Sequence, residues 1–179
     1  MTVAPPALPG LSVPFAARSR KADALREGAT AGGVAAIVLI LWFLALDLVE
    51  GRELPSVVWV PLAVLERLTG GALSSPAGAV IGVMLQGLGC CALGAAVAWL
   101  LARLPRAATP GVTLTVSFLG LQLAFFVLDG VSGAGLFHRL RPWAVIAANA
   151  LAAGGMTLTL WKRQPRLIEG RRDLWDDEP

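Results

Sequence analysis

This 179-residue chain has one histidine and two cysteines, and only 15% of it is charged. A single histidine excludes a bis-histidine haem within one chain. His138 with Met84 or Met156 is the haem ligation that the composition leaves open, and no cofactor is expected. The two cysteines, Cys90 and Cys91, are neighbours, and the chain offers no further thiol to complete a cysteine-based metal site. Neighbouring Cα atoms lie about 3.8 Å apart, below the usual disulfide range, and side chains one residue apart on a helix point about 100° apart. Neither a disulfide between them nor redox or metal chemistry is expected; buried thiols behave as small apolar groups. No phosphate-loop or dinucleotide glycine pattern occurs, and GLGCCALG lies inside an apolar run where it cannot cradle phosphate. A triad would set Ser117 or Ser132 beside His138, and no nucleophile-elbow pattern frames either serine.

What the chain has in quantity is apolar sequence, 56% of it. Four runs hold the excess, at residues 30–49, 77–101, 112–128 and 143–161. Each is about as long as a bilayer core requires, roughly 20 residues. A soluble domain would carry nearer about a quarter charged residues. The first run follows a long tail, exceeds a signal-peptide core and is followed by DLVEGRELP, not by a small-residue cleavage site, so it is expected to remain as an anchor. The expected fold class is an all-α integral membrane protein: a four-transmembrane-helix bundle with a short interfacial helix in the first loop. Residues 1–27 are expected to form a disordered cytoplasmic tail, 28–161 the membrane domain and 162–179 a charged cytoplasmic tail. No internal repeat supports a two-fold transporter architecture.

The net charge of +3 concerns orientation more than binding. Eleven of the fifteen basic residues fall in the N-terminal tail, the second loop and the C-terminal tail. The other four are Arg52, Arg67, Arg139 and Arg141. The positive-inside rule then puts both termini in the cytoplasm, and nucleic acid is not expected as a partner. In the first loop, PSVVWVPLAVLERL predicts a short helix over residues 61–68 lying on the outer surface, with Trp59 at headgroup level.

On a helix, residues four apart share a face. Gly82, Gln86, Cys90, Gly94 and Ala98 therefore form one stripe of small and polar side chains. Gly28 and Gly32 form a GxxxG pair at the inner end of the first span. Lipid supplies no hydrophobic drive for helix packing, so small residues that let backbones approach are the expected packing surfaces. The strongly polar groups of the spans all fall in their outer halves: Asp47, Gln86, Gln122, Asp129 and Asn149, with His138 in the loop beyond. Thr115, Gln122 and Asp129 repeat at seven and are expected on one inward face. Two readings stay open. In one, the amides bond across helices and the aspartates pair with Arg52, Arg139 or Arg141. In the other, Asp47, Asp129 and His138 form the mouth of a small-molecule or ion site.

WFLALDLVEGRELP at the end of the first span and RPWAVIAANALAAGGMTLTLWKRQPRL around the fourth resemble small four-span inner-membrane proteins of bacteria, a functionally uncharacterised group. The resemblance covers residues 28–167 and implies a four-helix bundle and no particular reaction. Thirteen arginines against two lysines, with abundant Ala, Leu and Gly, suit a GC-rich bacterial genome. The expected function is a non-catalytic accessory or assembly subunit of a larger membrane complex. An oligomeric transporter or channel is the alternative, and a membrane enzyme acting on lipid or quinone a further one. Membrane lipid and other membrane subunits, or further copies of the chain, are the expected partners.

Overall fold

A computed structural model describes residues 13–51, 56–70, 76–103, 109–133 and 135–163. These residues form six helices and no strand: α1 (Val13–Glu50), α2 (Ser56–Thr69), α3 (Pro76–Arg103), α4 (Pro110–Ser132), α5 (Leu136–Arg139) and α6 (Pro142–Arg163). Four of them carry segments long and apolar enough to cross a membrane: Ala22–Glu50, Ala77–Arg103, Pro110–Ser132 and Pro142–Lys162. The shortest has 21 residues. At about 1.5 Å per residue that matches a hydrocarbon core of about 30 Å. The chain is an all-α integral membrane protein, a bundle of four transmembrane helices with the short α2 between the first two. Leu48, Leu88, Leu123 and Val131 lie exposed on outward faces, as lipid permits.

α1 starts earlier than expected. Residues 13–27 were assigned to a disordered tail, yet the helix runs through them, and Ala24 is buried. The stretch AARSRKADALRE consists mostly of good helix formers and has no glycine or proline to stop it. Residues 1–12 and the C-terminal tail from 164 lie outside the described residues.

α2 is also longer than the expected 61–68 and contains Pro61. Proline removes one i→i−4 bond and crowds the preceding turn. Here its ring is buried, resting on α3 where Gly82 leaves room: a Cβ on Gly82 would stand 2.5 Å from Pro61 Cβ. The first turn of α2 gains an acceptor from α1, described below. α4 has a complete set of end signals. The Thr109 hydroxyl accepts from the Val112 amide at 3.2 Å, Pro110 starts the helix, and Gly133 closes it at φ +60° with its N–H on the Asp129 carbonyl.

α1 packs most extensively on α3 and next on α6, while α6 also packs on α4. Half of the α6 span is buried, against at most 28% of any other. Yet α6 has the lowest mean hydropathy of the four, 1.5. The two facts have one cause. The span with the lowest mean hydropathy is the one withdrawn from lipid. Ala148, Ala152, Ala153 and Met156 are fully or almost fully buried at its contacts.

Candidate functional site

The α1–α3 crossing is backbone on backbone. A Cβ on Gly28 would lie 2.5 Å from the Gly94 carbonyl oxygen and 2.6 Å from Ala98 Cβ. One on Gly32 would fall on the Cys90 carbonyl and stand 2.7 Å from Cys91 Cα. One on Gly94 would be 2.6 Å from the Gly32 nitrogen. Gly28 and Gly32 on α1 thus mesh with Cys90, Gly94 and Ala98 on α3, a small-residue contact at van der Waals limits. The adjacent cysteines straddle the point where Gly32 crosses, Cys90 buried and Cys91 half-buried, both as free thiols. Gly82, on the same stripe, serves α2 instead.

The polar groups divide between two separate tasks. Asp47, 3% exposed, turns to the first residue of α2, accepting from the Ser56 amide and, at 2.7 Å, from the Ser56 hydroxyl. Asp129 does the same for α5. Its carboxylate accepts from the amides of Leu136 at 2.6 Å and Phe137 at 3.2 Å. A helix start leaves its first N–H groups without intrahelical partners, so a carboxylate is the natural acceptor there. Each aspartate near the end of a span therefore anchors the short helix that follows. The amides do something else. Asn149 on α6 donates to Gln122 on α4 at 2.8 Å. Gln86 is half-buried on α3 and makes no side-chain hydrogen bond among the described residues.

Two expectations need correction. One of the two open readings pairs the aspartates with Arg52, Arg139 or Arg141, and at Asp129 it does not hold. Asp129 takes backbone amides, and Arg141 pairs with Glu50 at 3.4 Å. Amides at a helix start are fixed in place, whereas an arginine must give up side-chain freedom to reach the carboxylate. Of the face Thr115–Gln122–Asp129, expected to point inward, Gln122 meets α6 but Thr115 does not. Thr115 is exposed and returns its hydroxyl to the Gly111 carbonyl at 2.9 Å. The buried residues of α4 are Thr113, Ser117, Leu121 and Ser132. A seven-residue spacing drifts about 20° per repeat on a straight helix, and a back-bonded threonine needs no partner inside. Arg52 lies outside the described residues, as does the side chain of His138 in α5.

Two contacts were not anticipated. Trp161 donates to the Thr113 hydroxyl at 3.4 Å, and Trp42 to the Ala144 carbonyl at 3.1 Å. The Thr113–Trp161 and Gln122–Asn149 contacts set an antiparallel register that brings Ser117 level with Thr157. Both of those hydroxyls are buried and without a hydrogen-bond partner among the described residues. No group of three His, Cys, Asp or Glu able to hold a metal occurs among the described residues.

No family model, no curated protein and no solved structure matches the chain. The residues themselves carry the functional argument.

The Gln122–Asn149 bond is directly measurable. In a double-mutant cycle of Gln122→Ala and Asn149→Ala, unfolded from bicelles, the coupling should be about 0.6 kcal/mol and not above about 1.7, the range for amide bonds between membrane helices. Zero coupling would mean that both amides are served by other groups.

Proposed function

We propose that this chain is a non-catalytic accessory or assembly subunit of a larger membrane complex. The observation that carries the proposal is the use made of the carboxylates. Asp47 and Asp129, the acidic groups closest to the spans' polar halves, are each occupied in starting a short helix. Groups committed to helix ends are poorly placed to move a proton or coordinate a passing ion. What remains is a small, tightly crossed bundle with wide apolar faces. α4 is the least covered, with 17% of its span buried and Leu119, Leu123, Phe126 and Val131 facing outward.

The same proposal places the chain in a bacterial inner membrane with both termini cytoplasmic. Support comes from the basic residues, eleven of fifteen at the end that carries the termini. Arg103 over the Trp99 ring at 3.6 Å forms an interfacial cation–aromatic pair at that end. A tagged full-length chain extracted from native membranes in mild detergent should bring down one membrane protein in fixed stoichiometry by mass spectrometry. A preparation that contains this chain alone would remove the proposal.

A second reading has one observation in its favour. The buried hydroxyls of Ser117 and Thr157 continue the polar line of Gln122 and Asn149 within the α4–α6 contact. In an oligomeric transporter that line would contribute to a path. That reading requires flux to change in Asn149→Ala, measured in liposomes.

A further inference from the structure

The end of the bundle that carries α2 and α5 holds a second polar feature, apart from the aspartates. A cleft of about 470 Å³ is lined by Ala63, Glu66, Arg67, Gly70 and Arg139. Its size falls in the range of small-molecule sites, about 300–1,000 Å³. One wall is the last turn of α2, which brings Glu66 and Arg67. The other is α5, which brings Arg139. The walls are held in place from below, where Val64 of α2 packs on the fully buried Leu136 of α5. The Leu136 amide is in turn held by Asp129. Gly70 ends α2 at φ +64°, with open space where a side chain would stand.

The charges in this cleft are unspent. Arg141 nearby is paired with Glu50, yet among the described residues neither Arg67 nor Arg139 has a carboxylate within ion-pairing distance. Arg67 gains something from the negative end of α2, but a helix end offsets only about half a charge. Arg139 ends a helix of four residues, too short for a useful dipole. Two guanidiniums thus face one cleft with their donors open, and Glu66 offers an acceptor beside them. The cleft also lies at the ends of the spans, with Trp59, a residue type enriched at the headgroup level, in the apolar cluster beneath it.

We propose that this cleft is a binding site for a phosphodiester group, held by Arg67 and Arg139, with a hydrogen-bond donor of the same ligand on Glu66. Arginine is the residue suited to this, since its planar fork matches phosphate oxygens in pairs. Two cations and one anion complement a phosphoethanolamine headgroup, whose phosphate is negative and whose amine is positive. A free phosphate ester carries the same recognition chemistry, so the source is a matter for experiment.

The test uses the full-length protein in detergent, titrated with short-chain phosphatidylethanolamine, phosphatidylglycerol and phosphatidylcholine, and with inorganic phosphate, and read by native mass spectrometry. One phosphatidylethanolamine should bind more tightly than phosphatidylcholine, whose quaternary amine cannot donate. Arg67→Gln and Arg139→Gln should each lower affinity about tenfold, the loss of one charge-assisted hydrogen bond. Glu66→Gln should erase the preference for ethanolamine over choline. Both arginines are exposed, and unchanged helix content and melting would show that their variants fold. Displacement of lipid by millimolar phosphate supports the site and assigns it to free phosphate esters. Persistence of bound lipid against phosphate supports it and assigns it to headgroups. Equal binding of all three lipids by the native chain and by Arg67→Gln/Arg139→Gln overturns the proposal.

Discussion

Gly32→Val should separate α1 from α3 and cost about 3 kcal/mol, the upper part of the usual range for overpacking. The reason is what the new side chain would meet. A Cβ at residue 32 falls on the carbonyl of Cys90 and 2.7 Å from Cys91 Cα. Backbone atoms cannot swing aside as a side-chain tip can, so the helices must move apart. Moving them also opens the Gly28–Gly94 and Gly28–Ala98 approaches one turn away. Gly94→Val should behave the same way, since its Cβ would stand 2.6 Å from the Gly32 nitrogen. Gly87 and Gly89 provide the comparison on the same helix. A Cβ on either meets nothing within 4 Å, so Gly87→Ala and Gly89→Ala should stay within about 0.5 kcal/mol of the native chain. Reversible unfolding in bicelles would measure all four. Equal effects at residues 32 and 87 would mean that the crossing is not the close contact described.

Much of this crossing is legible in the sequence. Gly28 and Gly32 repeat at four, and so do Gly82, Gln86, Cys90, Gly94 and Ala98, which marks two faces of small residues before any coordinates are known. The four spans are equally legible, because apolar length is a local property. The sequence does not show that Gly82 belongs to a different contact from Gly94. That depends on α2 folding back over α3 and seating Pro61 there, and nothing local to residue 82 reports it. The candidate site divides along the same line. That Asp47, Gln122, Asp129 and Asn149 fall toward one end of the bundle follows from counting residues along each span. Their partners do not. Asn149 finds Gln122 because the register between α4 and α6 is set by packing over the whole length. Asp47 finds Ser56 because the first connection returns α2 to the end of α1, placing two residues nine apart in sequence within hydrogen-bond reach. The arginine cleft was least visible, since Arg67 and Arg139 are far apart in the chain and meet above the Val64–Leu136 contact.

Asp47→Ala should release the start of α2 and cost about 3 kcal/mol. Asp47 and Ser56 are both buried, at 3% and 2% exposure, and the carboxylate accepts from both the amide and the hydroxyl of Ser56. Removing the acceptor exposes two donors to an apolar surrounding, and each unsatisfied buried group costs about 1–3 kcal/mol. Asp47→Asn should fall between Asp47→Ala and the native chain. Its amide oxygen replaces one acceptor, but its NH₂ group faces a second donor. Ser56→Ala should be mildest, about 1 kcal/mol, because the amide keeps its carboxylate while the hydroxyl bond to Asp47 is lost. Hydrogen exchange at the amides of residues 56–60 would record the series, with protection falling in the order Ser56→Ala, Asp47→Asn, Asp47→Ala, while α4 and α6 stay unchanged. The same variants separate the two functional readings. If Asp47 is an anchor for α2, Asp47→Asn and Ser56→Ala should lose capture of the native partner only to the extent that α2 loses protection. If Asp47 lines an ion path, Asp47→Asn should alter flux in liposomes while α2 keeps native protection and Ser56→Ala transports normally. The position of Ser56 at the first residue of α2 makes the first outcome the expected one.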